Sequence, residues 1–152
     1  MEAGLPEAPF GASHVGDEQA VAAWLDEGGG VDARCAEHDD ATLLMAAAAG
    51  GQEAMVRMLL QRGASVNLRN SFGSPALTHA AANGHTTIVQ ALLDAKADAS
   101  LQATNGITAL MMAEHQKHPA IAQLLRQHAK RQTAEAEARA AEIGRASCRE
   151  RV

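Results

Sequence analysis

The chain has 152 residues, enough for one compact domain or a short array of repeats. Apolar residues make up 47% of it, but 35 residues are alanine and only Phe10, Trp24 and Phe72 are aromatic, so its core must depend on close backbone approach. The formal net charge of −5 and the lack of aromatic stacking platforms argue against a nucleic-acid partner.

Residues 1–16 are predicted to be irregular, because Pro6, Pro9 and Gly11 disfavour a regular helix. This segment is acidic and has no long apolar run, so it does not match a secretion signal. The sequence has no run of 18 apolar residues, and its two cysteines match no disulfide or zinc-binding spacing. We therefore expect an intracellular protein, in the cytoplasm or the nucleus, with no membrane span.

A helix is predicted after Asp17, which can cap its first turn. The stretch VAAWLDEGGGVDA (21–33) matches VRMLLQRGASVNL (56–68), which indicates the second half of a repeat followed by a longer loop. The three glycines at 28–30 are not followed by G-K-[ST] and do not open a helix, so they predict a turn rather than a phosphate-binding loop.

The middle of the chain repeats itself with a period of 33 residues, which places Leu44, Leu77 and Leu110 in one column. Small residues and leucines recur at matching positions around each of these leucines. The aligned stretches are TLLMAAAAGGQEAMVRMLL (42–60), PALTHAAANGHTTIVQALL (75–93) and TALMMAEHQKHPAIAQLLR (108–126).

This period, with starts related to T-P-L-H-x-A, resembles the ankyrin repeat. The motifs AAxxGH (80–85), LLxxGAxVN (59–67) and NGxTAL (105–110) carry the resemblance, which covers roughly residues 17–129. It implies an all-α fold, an ankyrin-repeat solenoid of stacked helix-turn-helix units with hairpin-like loops. The implied repeats cover approximately residues 17–36, 37–69, 70–102 and 103–129, the first of them partial.

The sequence departs from the family at several positions. Leu43, Ala76 and Ala109 replace the family proline, and the fourth repeat has Lys117 where glycine is usual. The family histidine is replaced by Met45, Thr78 and Met111. These departures affect the expected helix boundaries rather than the fold.

Each repeat is predicted to begin at a helix cap. Thr42 and Thr108 can accept a hydrogen bond from the first helical turn. Ser74 followed by Pro75 predicts a cap with proline at the first helical position, one residue earlier than in the flanking repeats. Gly51 and Gly84 are predicted to end the first helices.

The second helix of the third repeat, from Thr86 to about Ala95, is predicted to bury Ile88, Val89, Leu92 and Leu93. A single repeat cannot cover such a face by itself, so the stack closes the core. Most of the methionines, Met45, Met55, Met58, Met111 and Met112, are predicted to fill the core.

Two groups of residues raise the possibility of chemistry. Ser74, Thr78, His79 and His85 could form a nucleophile with its base, but the repeat register assigns them capping and packing roles. Glu114, His115 and His118 could bind a metal, but the pattern H-E-x-x-H and a third ligand are missing. No enzyme activity, cofactor or metal is therefore expected.

Residues 130–142, KRQTAEAEARAAE, are polar all round and predict a solvated helix that extends the last repeat, or the start of a coiled coil. Residues 143–152, IGRASCRERV, resemble sequencing-adapter DNA translated in one frame. We expect this segment to be a read-through artefact, with the natural C-terminus elsewhere.

Three functions remain open on the sequence. The favoured one is a scaffold, monomeric as a repeat domain, that binds another protein through the concave face of the stack. The alternatives are an N-terminal regulatory or targeting module of a longer protein, which could be an enzyme, and, least favoured, a small enzyme. A stop codon soon after Glu142 in the full transcript would support the first, and a long reading frame the second.

The resemblance implies partner contacts at the loop tips and on the first helices. We single out Phe72, an aromatic residue at a loop tip that either anchors a partner or folds back onto the neighbouring loop. The full set of contact candidates is His38, Asp39, Ala41, Ala48, Ala49, Arg69, Ser71, Phe72, Ser74, Ala82, Asn83, Gln102, Thr104, Asn105, Ile107, His115 and Gln116.

Overall fold

The computed structural model describes residues 7–150, with side chains described for residues 7–144. Over this range the chain forms α-helices, one short 3₁₀ helix and two isolated β-bridges, which confirms the predicted all-α class. The α-helices are α1 (Glu7–Val15), α2 (Glu18–Asp26), α3 (Leu43–Gly50), α4 (Glu53–Gln61), α5 (Ala76–Ala82), α6 (Thr86–Asp94), α7 (Ala109–His115) and α8 (Pro119–Glu150), and the 3₁₀ helix is Ala36–His38.

Within residues 7–150 the helices form four pairs that stack in two layers. The first helices, α1, α3, α5 and α7, pack one against the next, and the second helices, α2, α4, α6 and α8, form the other layer. Alanines in the first layer, such as Ala47, Ala80 and Ala113, are fully buried, so the backbones lie close together. The predicted apolar residues of α6 are buried as well, which confirms that stacking closes the core.

Helices α3, α5 and α7 begin in identical register, 33 residues apart. Thr42 and Thr108 accept hydrogen bonds from Met45 N (3.4 Å) and Met111 N (3.2 Å), as predicted. The predicted start at Ser74 is wrong: Pro75, with extended backbone, is the N-cap of α5, and helix begins at Ala76. The reason is that Ser74 closes the preceding loop, so its backbone cannot join the helix.

The turn after each first helix uses a left-handed residue. Gly51 and Gly84 take φ values of 74° and 77°, as their predicted place at the helix ends requires. In the fourth pair Lys117 takes the same conformation, with φ 61°. A side chain in this region is unfavourable, yet the turn is retained.

Histidines join neighbouring pairs at these turns. His85 Nε2 lies 3.3 Å from the carbonyl oxygen of Ala49, and His118 Nε2 lies 3.2 Å from that of Ala82. Each ring covers the left-handed glycine of the preceding pair, so a Cβ at Gly51 or Gly84 would collide with it. Both histidines are therefore packing residues between pairs.

Side-chain oxygens join the loops that follow the second helices. The Asp32 carboxylate accepts hydrogen bonds from Ser65 N (2.8 Å) and Ser65 Oγ (2.6 Å). One pair further, Asn67 Oδ1 accepts from Asp98 N at 2.7 Å. The same loop therefore makes an equivalent contact in successive pairs.

The prediction of an irregular segment over residues 1–16 is wrong for residues 7–15, which form α1 and pack on α3. Pro9 lies in the first turn, where a missing N–H leaves no helical hydrogen bond unmade, and its ring is buried. Gly11 is exposed and tolerated. The first pair is therefore complete from Glu7 onwards, while Pro6 lies outside the described residues.

The methionine prediction holds for part of the set. Met45 and Met55 are buried, and Met58 and Met112 are half-buried. Met111 is 50% exposed, because nothing in the described part of the chain packs on the outer side of α7.

Helix α8 runs far beyond the repeat, through Glu150. Residues 130–142 extend it and are exposed, as predicted for a solvated helix. The helix also includes residues 143–150, and its presence does not bear on the proposed adapter origin of the segment.

Candidate protein-binding surface

Three loops, which we call the finger loops, precede α3, α5 and α7 and comprise residues 35–41, 70–74 and 103–107. Each is closed by a backbone hydrogen bond, from Cys35 N to Ala41 O at 2.9 Å in the first. The equivalent bonds in the second and third measure 3.1 and 2.9 Å. The first finger loop is two residues longer, as the alignment of the repeats predicts.

Neighbouring finger loops are joined by hydrogen bonds. Ser71 N donates to Asp39 O at 2.8 Å, and Thr104 N donates to Phe72 O at 2.9 Å. Thr104 Oγ1 adds a second bond to Phe72 O at 3.1 Å. The three tips therefore form one continuous row rather than independent loops.

The second finger loop holds Phe72 in place through its backbone. Asn70 Oδ1 accepts hydrogen bonds from Phe72 N and Ser74 N, both at 3.0 Å, which fixes the tip. Phe72 itself is 57% exposed. The loop thus presents a large apolar side chain to solvent on a rigid backbone.

The contact candidates divide by exposure. Ala41 and Ala48 are buried, so their side chains offer little surface to a partner. Ala48 aligns with Ala81, which is also fully buried, and both lie on first helices that pack against the next first helix. The exposed candidates are His38, Asp39, Arg69, Ser71, Phe72, Asn83, Gln102, Thr104, Asn105, His115 and Gln116, and the half-buried ones are Ala49, Ser74, Ala82 and Ile107.

Charge is unevenly distributed among the accessible candidates. Asp39 and Arg69 lie on or beside the first two finger loops. The candidates of the third and fourth repeats include no Asp, Glu, Lys or Arg, and His115 is the one ionisable group among them. We call these accessible candidates of repeats three and four, with Phe72 at their centre, the neutral face.

His79 is a neighbour of the neutral face for which the repeat register predicts only a packing role. Its Nε2 lies 3.5 Å from Asn70 Nδ2, at the base of the second finger loop, and Asn83 Nδ2 donates to its carbonyl oxygen at 2.8 Å. Burial lowers the pKa of His79 below the usual 6.5, which favours the uncharged ring. The residue therefore adds a polar but neutral group to this region.

His38 is engaged within the chain. Its ring stacks on that of Phe10 in α1, with centroids 4.3 Å apart and planes 9° from parallel. The sequence does not predict this contact, because the pattern of residues 1–16 indicates an irregular segment and not a helix that could place Phe10 beside His38. His38 is thus a positioning contact for the first finger loop as well as an exposed side chain.

The side chains of the suggested nucleophile group make separate contacts. Thr78 is buried inside α5, Ser74 closes a finger loop, and His85 packs at the turn on the other end of the helix. The interpretation of these residues as a nucleophile with its base finds no support in that geometry.

The suggested metal ligands also diverge. Glu114 pairs with Arg126, His118 faces the Ala82 carbonyl, and His115 is exposed. Among the described residues, no group of three His, Cys, Asp or Glu side chains is placed to hold a metal ion.

A groove of about 490 Å³ lies between the second and third finger loops. Arg69, Gln102 and Thr104, three of the contact candidates, line it together with Gly73 and residues 100–103. The groove continues the accessible surface from the tips towards the loops behind them.

No helix in residues 7–150 is both long enough and apolar enough to cross a membrane. This holds for α8 despite its length, because its sequence is largely polar.

Comparison with known proteins places the chain among repeat proteins. A family model described as ankyrin repeats (3 copies) matches residues 10–103, more than half of the chain. The ankyrin repeat and SAM domain-containing protein 6 of Mus musculus is 47% identical over 68 residues, which are 45% of this chain and 7% of that protein. Its Rattus norvegicus counterpart is 46% identical over 63 residues, 41% of this chain and 7% of that protein.

The chain thus spans a small fraction of the length of the curated relatives it matches. The matched family model, the 33-residue period and the stacked helix pairs agree: the chain belongs to the ankyrin repeat family, whose repeats are in general protein–protein interaction modules.

Proposed function

We propose that this chain is a scaffold that binds a partner protein through its finger loops and the adjoining ends of the first helices. The observation that carries the proposal is the row of hydrogen-bonded finger loops, which presents Phe72 more than half exposed. A rigid row with an accessible apolar residue meets the main requirement of a protein interface, an anchor held on a preorganised backbone.

Phe72 is the proposed anchor. Aromatic side chains bury a large area at low entropic cost and dominate many interfaces. The loop tip is held by the two hydrogen bonds that Asn70 Oδ1 accepts and the two that the Phe72 carbonyl oxygen accepts. None of these bonds involves the ring, which stays accessible. The other accessible candidates would surround this anchor.

The charge distribution favours an uncharged partner segment. The neutral face offers hydroxyls, amides and apolar groups that include the Phe72 ring, and among the contact candidates that line the adjoining groove only Arg69 carries a full charge. A strongly charged segment would lose hydration there without compensation. We therefore expect binding that depends weakly on salt concentration, in contrast to binding steered by charge.

The test is affinity capture from a cell extract, comparing wild type with Phe72→Ala. Val15→Ala is the matched control, because Val15 is also a large exposed apolar residue but lies on α1, away from the second finger loop. Recovery of a specific partner by wild type and Val15→Ala, with loss on Phe72→Ala, is expected. Equal recovery by all three proteins would remove Phe72 and the neutral face from the proposal.

A monomeric state and the absence of nucleic-acid binding form part of the same proposal. The net charge of −5 supports the second point. Sedimentation velocity and a gel-shift assay with single- and double-stranded DNA would contradict these points if they showed a dimer or a shifted band.

A second candidate function is a regulatory or targeting module within a longer protein. The observation in its favour is that the relatives are far longer, since the matched segment covers 7% of each. Determination of the complete 3′ end of the transcript separates the two candidates: a long open frame after Glu142 supports the module, and an early stop codon supports the stand-alone scaffold.

A further inference from the structure

The outer side of the fourth repeat differs in its residues from the sides of repeats two and three that pack against the next repeat. We call this surface the closing face and define it by Met111, Glu114, Lys117 and Arg126. The 33-residue period aligns them with Thr78, Ala81, Gly84 and Leu93 of the third repeat, of which Gly84 lies under His118 of the fourth repeat and the other three are buried. Comparing the two sets shows what the closing face can receive.

Two of the substitutions replace buried apolar side chains by charges. Glu114 stands where the third repeat has Ala81, which is fully buried, and Arg126 stands where it has Leu93, which is 4% exposed. Glu114 and Arg126 form an ion pair with each other across α7 and α8. Their side chains are 45% and 57% exposed.

A third substitution changes the turn. In repeats two and three the turn glycine lies under a histidine of the next repeat, and a Cβ at Gly84 would come within 2.8 Å of His118 Cε1. Lys117 occupies this position in the fourth repeat and has a Cβ. A histidine of a following repeat could therefore not pack over Lys117 as His85 packs over Gly51 and His118 over Gly84.

The path of the chain agrees with the surface. Helices α4 and α6 are each followed by a turn with a left-handed residue, which is Gly63 after α4 and Lys96 after α6. Ala97, the residue after Lys96, is buried. The matching residues Ala129 and Lys130 are exposed within α8, which continues straight on. The chain therefore does not return to build another finger loop next to the third.

From these observations we infer that the fourth repeat is the cap of the stack: its closing face excludes a fifth ankyrin repeat and excludes end-to-end stacking of a second copy, whatever segment follows α8. Docking of another repeat would remove water from the Glu114–Arg126 ion pair. The free-energy cost of this desolvation exceeds what apolar contacts across the new interface would contribute. Polar outer faces are what terminal repeats need in solution. On this side the row of finger loops thus ends at the third finger loop, which limits how far a partner segment of the proposed scaffold can be covered in this direction.

The inference can be tested by extending the array in register. Residues 96–152 are joined directly after His128, which restores the turn and adds a second copy of the fourth repeat. This chain is compared with one that also carries Glu114→Ala, Lys117→Gly and Arg126→Leu in the first copy only. Hydrogen exchange of the added α7 copy reports whether the new repeat docks.

We expect the added copy to exchange at the rate of an undocked helix behind the natural closing face. Behind the substituted face it should exchange on the order of ten times more slowly. Equal protection in the two chains would overturn the inference, and so would a lack of protection in both, because these three residues would then not decide docking.

A second measurement uses the unextended chain. The three substitutions should leave its circular dichroism unchanged but cause concentration-dependent association in sedimentation velocity, while wild type does not associate. Association of wild type through this end would contradict the inference. Partner capture by Phe72 is independent of both outcomes, so failure of the cap and failure of the proposed scaffold are distinguishable.

Discussion

The two ends of the stack reach stability in different ways. At the N-terminal end α1 lies so close to α3 that a Cβ on Gly50 would overlap the carbonyl oxygen of His14. In addition, Ser13 Oγ donates a hydrogen bond to Leu43 O at 2.7 Å. At the C-terminal end the closing face carries an exposed ion pair and a half-exposed Met111. The first end depends on close packing, and the second depends on hydration.

This contrast shows that the similarity of a repeat to the family sequence pattern does not determine how deeply its helices are buried. The first repeat departs most from the family pattern, yet its first helix is tightly packed. The fourth repeat keeps the pattern NGxTAL and leaves one side uncovered. A good match to the repeat predicts that the helices form, while burial depends on which neighbour is present.

The largest expected effect is at Gly50. A Cβ there would overlap the backbone of His14, which cannot move aside as a side chain tip could, so α1 must shift. We expect Gly50→Ala to lower the free energy of unfolding by about 1–3 kcal/mol, the usual cost of overpacking. Urea denaturation followed by circular dichroism measures it.

Gly11→Ala is the matched control for Gly50→Ala. Gly11 lies within α1, and no atom of a neighbouring element lies within 4 Å of the place that an alanine methyl group would take. Alanine should therefore raise stability by up to about 1 kcal/mol through helix propensity. Stabilisation of both variants would show that α1 and α3 are not in close backbone contact.

Ser13→Ala should have an intermediate effect. Ser13 is fully buried and its hydroxyl bonds the Leu43 carbonyl at the start of α3. We expect a loss of about 1 kcal/mol, the net value of one such hydrogen bond. An unchanged midpoint in urea would show that the bond does not stabilise the N-terminal end.

Arg126→Ala tests the other end and should cost less. The ion pair with Glu114 is exposed, so its loss should lower stability by about 0–1 kcal/mol and by less at high salt. Thermal melts at low and high ionic strength measure the difference. A loss that is large and independent of salt would show that the closing face is stabilised by packing instead.

The smallest effect concerns pH and a residue between the two ends of the stack. Because burial holds the pKa of His79 below 6.5, the unfolded chain binds the proton more readily than the folded chain. The contribution of His79 is complete above about pH 6.5 and declines as the pH falls from there towards the lower folded-state pKa.

His79→Gln should therefore reduce the fall in unfolding free energy over that pH range relative to wild type. Urea titrations at several pH values measure both slopes. Equal slopes for wild type and His79→Gln would show that the ring is hydrated in the folded protein.

Periodicity predicts most of the architecture, because caps, turns and apolar columns are local signals. Thr42, Thr108 and Gly51 have the expected roles, and the residues of α6 are buried as expected. The local pattern puts the start of α5 one residue early, because it does not contain the bond that commits Ser74 to the finger loop.

Long-range contacts account for the remaining differences. Pro9 is buried within α1, which packs on α3, and Phe10 reaches His38 across a long stretch of sequence. Phe72 lies at a loop tip as predicted, but the bond from Thr104 that joins its carbonyl to the third finger loop is a contact between repeats that no local pattern contains. The closing face could have been found from the column that aligns Glu114 with Ala81.

The bonds between finger loops and the histidines at the turns lie at opposite ends of the first helices. Changing the curvature of the array would break one row or the other. We therefore expect the proposed binding surface to be held in place at both ends before a partner arrives, so that it loses little conformational entropy on binding. In an encounter with a pliable ligand, the entropic penalty of ordering falls almost entirely on the ligand.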